Sequence, residues 1–309
     1  MEFNIDVLDE SEKIIFALRT LYRSQGYRRY RMSKFEEYDL YSRNKDFLVS
    51  DSVITFMDLN GKLMALKPDV TLSLIKNNKD KPEEIQKLYY NENVYRVQKG
   101  SDSFKEIMQA GLECFGAVDP ACISEVLMLA AKSLDLISPD FMLEISDLEI
   151  LSFFLDRIPV SGDVRRELLK CVSEKNRHEI LHLLRSHEVQ EQYGQDLIRV
   201  LELYGGPDHV MEGLRDLCAE KGLEEEVERL TRVISVFRES AYKDRILIDF
   251  SAVSDLNYYN GIIFRGFISG VPEEVLSGGQ YDRLMKKMGR KSRACGFAVY
   301  LNKLQGIMR

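Results

Sequence analysis

Residues 249–284 read DFSAVSDLNYYNGIIFRGFISGVPEEVLSGGQYDRL. Ile262, Ile263 and Phe264 run into Phe267 and Ile268, a β-branched and aromatic series that favours a pleated, mostly buried strand. A second strand is expected beside it. Ser277-Gly278-Gly279-Gln280-Tyr281 then puts glycines where the backbone must come close to a neighbour or take positive φ, and Asp282 to Met288 has the spacing of a short helix. With Tyr258 and Tyr259 ahead of the strand, the stretch suits the floor of a small-molecule pocket. The plainer alternative is a hairpin whose tyrosines are core residues with satisfied hydroxyls.

Outward from this stretch, 309 residues with 45% apolar content are enough for one large domain or two ordinary ones with a full core. The 43 basic and 50 acidic residues, net −7, are spread without long blocks, so no broad surface for nucleic acid or anionic membrane is expected. The five cysteines, Cys114, Cys122, Cys171, Cys218 and Cys295, form no CxxC pair and read as reduced and structural, which points to the cytosol. The opening MEFNIDVLDESEKI has no signal-peptide pattern, and no window approaches a membrane span. His178 and His182 share a helix face, but no HExxH pattern surrounds them, so no metal site is expected.

Asp9 or Ser11 can cap a helix burying Ile14, Ile15, Leu18, Leu21 and Tyr22, with Gly26 placed to end it. Tyr27 to Phe35 reads as extended, an arginine-rich edge. Phe47 to Phe56 and Leu63 to Leu66 flank Asp58-Leu59-Asn60-Gly61, a hairpin signal. In Leu66-Lys67-Pro68-Asp69-Val70-Thr71, proline stops a strand and Asp69 or Thr71 heads a helix; Asp69 is an N-cap, a partner for a ligand ammonium, or both. Leu88 to Arg96 is a strand. Ile107 to Phe115 returns with Gln109, Gly111 and Glu113 on one face, a polar face that needs partners from Arg96 and its neighbours or from a ligand.

A helix through Leu136 and a strand from Phe141 to Ile145 follow. From Asp147 to Glu239 the pattern is helical, with breaks at Pro159, Gly205-Gly206-Pro207 and Gly222 that suggest four or five helices in an inserted bundle. The expected division is 1–146 with 240–309 as one core and 147–239 as a helical insertion. Arg245 to Phe250 and Ala294 to Val299 read as strands, and Tyr300 to Met308 as a terminal helix.

Together, LKPDVT, VYR with QAGLECFG, LNYYNG, SGGQYDRL and ACGFAVYLNKL resemble, in order and spacing, the catalytic domain of histidyl-tRNA synthetases. The resemblance covers nearly the whole chain. It implies an α+β class II aminoacyl-tRNA synthetase fold, an antiparallel sheet of six or seven strands flanked by helices, with an amino-acid pocket on its face. Departures are equally informative. Ser254 stands where the synthetases carry an arginine essential for activating histidine, and Lys303 where an arginine stacks on adenine. Arg96 is kept but continues into Val97-Gln98-Lys99 instead of an early glutamate, and Ser33 replaces a proline. The chain stops at Arg309, leaving no anticodon-binding domain, so no tRNA partner is expected.

With proline-aspartate-x-threonine in KPDVT, the pattern most closely resembles the synthetase-like regulatory subunits of ATP phosphoribosyltransferase. That resemblance implies a chain without catalysis or cofactor, a self-dimer that joins short-form catalytic subunits in a hetero-octamer, and histidine as feedback effector. By the same resemblance Asp69 and Thr71 would receive a ligand ammonium; Gln109, Glu113, Tyr258 and Tyr259 would line the imidazole side; Tyr281 would help close the pocket; and Arg96 would remain from the nucleotide site. Alternatives are an inherited but empty pocket with histidine acting at a subunit interface, a truncated synthetase-like enzyme that still activates an amino acid with ATP, or a dimeric scaffold without a ligand.

Overall fold

The computed structural model describes residues 7–48, 53–97, 103–219, 221–253 and 258–306. Its first helix, α1 (Glu10–Ser24), begins with a reciprocal cap: Asp9 Oδ1 accepts from the Glu12 amide at 2.8 Å, and Glu12 Oε2 accepts from the Asp9 amide at 3.1 Å. It ends where Gly26 takes φ +83°, with the Gly26 amide on Arg23 O and the Tyr27 amide on Tyr22 O. Ile15, Leu18 and Tyr22 are buried by this helix, as its apolar spacing requires.

In chain order there follow β1 (Arg28–Arg29), β2 (Phe35–Glu37), α2 (Tyr38–Ser42), β3 (Thr55–Met57), β4 (Leu63–Leu66), α3 (Val70–Asn77), β5 (Gln86–Val97), β6 (Phe104–Gly116), α4 (Pro120–Ile137) and β7 (Phe141–Asp147). The helical segment is α5 (Leu148–Asp156), α6 (Gly162–Ser173), α7 (Arg177–Ser186), α8 (Glu191–Glu202), a short β8 (Tyr204–Gly205), α9 (Pro207–Cys218) and α10 (Glu224–Ile234). Then come β9 (Ile246–Asp249), β10 (Ile262–Ile268), β11 (Leu276–Gln280), α11 (Asp282–Lys287) and β12 (Arg293–Tyr300).

Among the described residues nine strands form the main sheet, in the order β1-β5-β6-β12-β11-β10-β7-β9-β8. The central run from β5 to β7 is antiparallel, as expected, but β1 joins β5 and β9 joins β7 in parallel, so the sheet is mixed. One face is apolar and lies under α4, whose Ile123, Val126, Leu127, Ala130 and Leu134 are almost wholly buried across β7, β10 and β12. The other face is polar at its middle. There Gln109, Gly111 and Glu113 of β6 lie opposite Tyr300, Ala298 and Gly296 of β12. A smaller sheet, β2-β4-β3, and helices α3 and α11 cover one end of this polar face with a second apolar core that includes Tyr41, Leu72, Tyr90, Tyr281 and Leu284.

Several sequence expectations need correction. Phe47 lies in a 3-10 turn (Lys45–Phe47) and not at the head of a strand; residues 49–52 lie outside the described residues, among which the hairpin around Asn60-Gly61 has Thr55–Met57 as its first arm. Of the two roles open to Gly278 and Gly279, by contrast, close approach is borne out: a Cβ on Gly278 would meet Gly296 O at 2.4 Å and one on Gly279 would meet Ile262 O at 2.8 Å, and neither takes positive φ. The chain after Tyr300 forms a 3-10 turn (Leu301–Gly306), not an α-helix. The terminal residues 307–309 lie outside the described residues.

Among the described residues the helical segment holds six helices where four or five are expected, because two of its breaks carry no glycine or proline. After α6, Lys175 takes φ +52° with its amide on Val172 O and the Asn176 amide on Cys171 O; after α7, Glu188 takes φ +56° with its amide on Arg185 O and the Val189 amide on Leu184 O. Both repeat the glycine-ended pattern of α1 with a side chain where glycine usually sits. The segment shares the main core and adds β8 to the sheet edge through Tyr204 and Asp249. Among the described residues no helix is long and apolar enough to cross a membrane.

Because a left-handed conformation costs a residue with a Cβ about 1–2 kcal/mol, Glu188→Gly is expected to stabilise the chain by about 1 kcal/mol in urea unfolding. Unchanged or lower stability contradicts the strained helix end at Glu188.

Candidate functional site

Glu113 is where the polar face comes to a point. It projects from β6 and is only 2% exposed, and among the described residues no lysine or arginine bonds it. Instead the Thr71 hydroxyl donates to Oε1 at 3.1 Å and the Tyr281 hydroxyl donates to Oε2 at 2.5 Å. Burial pushes this carboxyl up to about 8, with the two hydrogen bonds pulling the other way and the charge of Asp69 adding to the rise. The neighbouring strand makes room for it: a Cβ on Gly296 would sit 1.9 Å from Glu113 Oε2 and 2.4 Å from Leu112 O. Gly111 does the same for Tyr90, whose hydroxyl would lie 2.5 Å from a Cβ there.

Thr71 is delivered by the joint between β4 and α3. Asp69, extended at φ −147° and ψ 140°, caps α3 by accepting the Leu72 amide on Oδ1 at 2.8 Å. Strand β5 clamps the joint from outside: the Tyr95 amide bonds Lys67 O at 2.9 Å, and Arg96 Nε bonds Pro68 O at 3.0 Å. Lys67 is fully buried, its Nζ 2.9 Å from Glu92 Oε2, and burial lowers its pKa. Burial raises the carboxyl of Asp69, against the Leu72 amide and the charge of Arg96.

Tyr258 and Tyr259 stand on the loop that enters β10. The Asn260 amide bonds Gln280 O at 2.8 Å, the Ile262 amide bonds the buried Gln280 Oε1 at 2.8 Å, and Gly261 turns the chain at φ +74°. The two rings meet edge to face with centroids 4.6 Å apart, and Tyr258 lies 6.1 Å from the ring of Tyr281. Burial holds the phenols of Tyr258 and Tyr281 well above their ordinary value, so both remain hydrogen-bond donors.

All eight residues singled out from the sequence, Asp69, Thr71, Arg96, Gln109, Glu113, Tyr258, Tyr259 and Tyr281, line one cleft enclosing about 580 Å³, open solvent included. Sequence reasoning missed Tyr90, Ser277, Gly296 and Tyr300 on the same wall, where the Tyr300 and Ser277 hydroxyls bond at 2.6 Å. A signal existed. Once ACGFAVY is paired with the polar-faced strand, period two turns Gly296, Ala298 and Tyr300 to the side of Glu113.

The expected departures from the synthetases fare differently. Ser254, and Gln98 with Lys99, lie outside the described residues. Lys303 does not line the cleft: its Nζ is 2.9 Å from Glu274 O, 3.2 Å from Glu274 Oε1 and 3.0 Å from Glu273 Oε2. His178 and His182 are exposed on α7, and His182 Nδ1 stands 3.8 Å from Glu179. A second cleft of about 550 Å³, among Met211, Arg215, Phe237 and Arg238, gathers no buried carboxylate.

A family model described as histidyl-tRNA synthetase matches residues 6–304. Among curated relatives, the ATP phosphoribosyltransferase regulatory subunit of Caldanaerobacter subterraneus subsp. tengcongensis is 30% identical over 291 residues, 93% of this chain and 75% of the relative. That of Alkaliphilus metalliredigens is 28% identical over 286 residues, 91% and 72% of the two chains. In fold, the chain matches an ATP phosphoribosyltransferase regulatory subunit/histidyl-tRNA synthetase from Bacillus halodurans with TM-score 0.83 at 23% identity, over 97% of this chain and 79% of the other. It also matches a chain of the ATP phosphoribosyl transferase complex from Thermotoga maritima with TM-score 0.73 at 18% identity, over 94% and 97%.

Between the ordinary carboxyl value of 4.5 and about 8, the folded chain keeps the Glu113 proton that the unfolded chain releases, so this group's contribution to stability falls as pH rises through that window. Glu113→Gln, which cannot ionise, is expected to remove the fall. Its stability relative to the parent should improve across that window by up to about 1.4 kcal/mol per pH unit in urea titrations. A difference that stays flat contradicts a protonated, buried Glu113.

Proposed function

The chain belongs to the histidyl-tRNA synthetase family, among the regulatory subunits of ATP phosphoribosyltransferase, and from that membership we propose that it is the non-catalytic partner of that enzyme and holds histidine in the cleft around Glu113. The observation that carries the reading is the Thr71–Glu113–Tyr281 cluster, a buried carboxyl kept without a counter-cation among the described residues, on the wall of a cleft. Burying a carboxyl costs stability even with two hydroxyls bonding it, and a role in holding a ligand accounts for a carboxyl here. Titrating near 8, it can either give its proton to an imidazole nitrogen or accept one. Asp69 suits the ligand ammonium, and Arg96, the cation among the lining residues, suits its carboxylate.

Loss of the synthetase's own chemistry is supported by Lys303. Its charge is spent on Glu273 and Glu274 away from the cleft, which leaves less positive charge for a nucleotide's phosphates. In this reading the chain works in the cytosol, takes no tRNA, pairs with itself and joins short-form catalytic subunits in a hetero-octamer, with 147–239 as an insertion into the synthetase-like core. Phe35, Phe56, Met57, Leu59 and Leu63 leave the small sheet with an exposed apolar surface for such contacts.

Mixing the chain with a short-form catalytic subunit is expected to raise transferase activity and make it sensitive to histidine. Unchanged activity overturns the regulatory reading. Glu113→Gln should keep the activation but raise the histidine needed for inhibition about tenfold to hundredfold, the loss of hydrogen bonds to one charged group. Histidine-dependent exchange of labelled pyrophosphate into ATP should be absent; robust exchange would favour a synthetase-like enzyme.

A further inference from the structure

Asp147 ends β7 on a fully buried side chain, and its two oxygens do different work. Oδ1 caps α5, accepting from the Glu149 amide at 2.9 Å and the Ile150 amide at 3.3 Å. Oδ2 receives Arg229 Nη2 at 2.7 Å, while Nη1 of the same guanidinium bonds Glu149 Oε2. Arg229 comes from α10, 82 residues further along the chain, and stays partly exposed on the surface of the helical segment. The ion pair offsets the cost of burying the carboxylate; the fork of a guanidinium fits both carboxylates where an ammonium would fit one.

The same corner holds the loop of the cleft. Leu148, next to Asp147, donates its amide to Gly261 O at 2.8 Å, and Asp147 itself lies opposite Ile262 in the β7–β10 ladder. Gly261 closes the loop that carries Tyr258 and Tyr259. That loop is thus fastened on one side by Gln280 and on the other by the β7–α5 corner. The second fastening alone leads to α10.

We propose that Arg229 is a positioning residue for the cleft: by keeping Asp147 paired it fixes the β7–α5 corner, and through the Leu148–Gly261 hydrogen bond it holds Tyr258 and Tyr259 in the arrangement that receives the ligand. Without Arg229, Asp147 must take up a proton or draw in water, and either change shifts the corner. The tyrosines then start from a broader ensemble, and binding must order them. The ligand named in the test rests on the histidine reading, whereas the link from Arg229 to the loop does not.

Two readouts separate them. Histidine is titrated calorimetrically into the full chain and its Arg229→Met, Arg229→Lys, Glu149→Gln and Lys221→Met variants, and amide hydrogen exchange is followed in the same proteins without ligand. Lys221→Met breaks the Lys221–Asp196 pair inside the helical segment and serves as a stability control. Arg229→Met should weaken histidine binding at least about tenfold. It should also speed exchange over residues 258–262 while β5 and β6 stay protected. Arg229→Lys should fall between, and decides if the methionine variant does not fold. Glu149→Gln and Lys221→Met should leave affinity and loop exchange near those of the parent. Unchanged loop exchange in both Arg229 variants overturns the proposal, as does an equal loss of affinity in Lys221→Met. If the parent binds no histidine, the histidine reading fails, and loop exchange still decides the role of Arg229.

Discussion

A carboxyl group buried on the face of a sheet constrains everything that touches it. Glu113 cannot be left unpartnered, since an unsatisfied buried polar group costs about 1–3 kcal/mol and more when charged. The chain meets this need from three separate places. Thr71 comes from the first turn of α3, Tyr281 from just past the end of β11, and the space itself from Gly296 on β12. Each of these needs support. Asp69 caps the helix that presents Thr71, Lys67 and Arg96 pin the joint before it, and Gln280 holds the tyrosine loop beside Tyr281. The glycine of ACGFAVY follows from the same constraint, and those of SGGQY let β11 lie close to its neighbours, where a side chain at Gly278 or Gly279 would collide with backbone.

Much of this is legible in the amino-acid sequence alone. Alternation of Gln109, Gly111 and Glu113 against Met108, Ala110 and Leu112 places a polar face on a buried strand, and the proline-aspartate joint places Asp69 at a helix start. Both signals are local and depend on period or on capping chemistry. The features that sequence does not reveal depend on pairing at a distance. Tyr300 and Ser277 share a hydrogen bond because β11 and β12 are neighbours, which no local pattern shows. The buried Lys67 meets its carboxylate partner, Glu92, on β5, 25 residues away. The ends of α6 and α7 escape a sequence reading for another reason. Lys175 and Glu188 take a conformation for which glycine is the usual sign, and at Lys175 the helix end is bound up with contacts to Asp249 and the Tyr204 ring.

The balance between retained and diverted groups explains how a synthetase-like sheet suits regulation. Among the described residues the wall carries two carboxyls, Asp69 and Glu113, one arginine, Arg96, and several phenols held as donors. Lys303, by contrast, faces acids instead of the cleft. Differential stabilisation of a charged transition state needs fixed cations aimed at the reacting atoms, whereas binding needs only shape and matched hydrogen bonds. The cleft therefore fits occupancy better than turnover.

Calorimetric titration of histidine into the chain and into Glu113→Gln tests this account most directly. The amide keeps the size of the carboxyl but cannot ionise, so it alters the site without pressing on the β6–β12 ladder, as a side chain at Gly296 would through Leu112 O. The expected result is one histidine per chain for the parent and binding weakened about tenfold to hundredfold in the variant, with both proteins folded. Equal affinity in the two, or no binding to the parent, would contradict Glu113 as the centre of a histidine site.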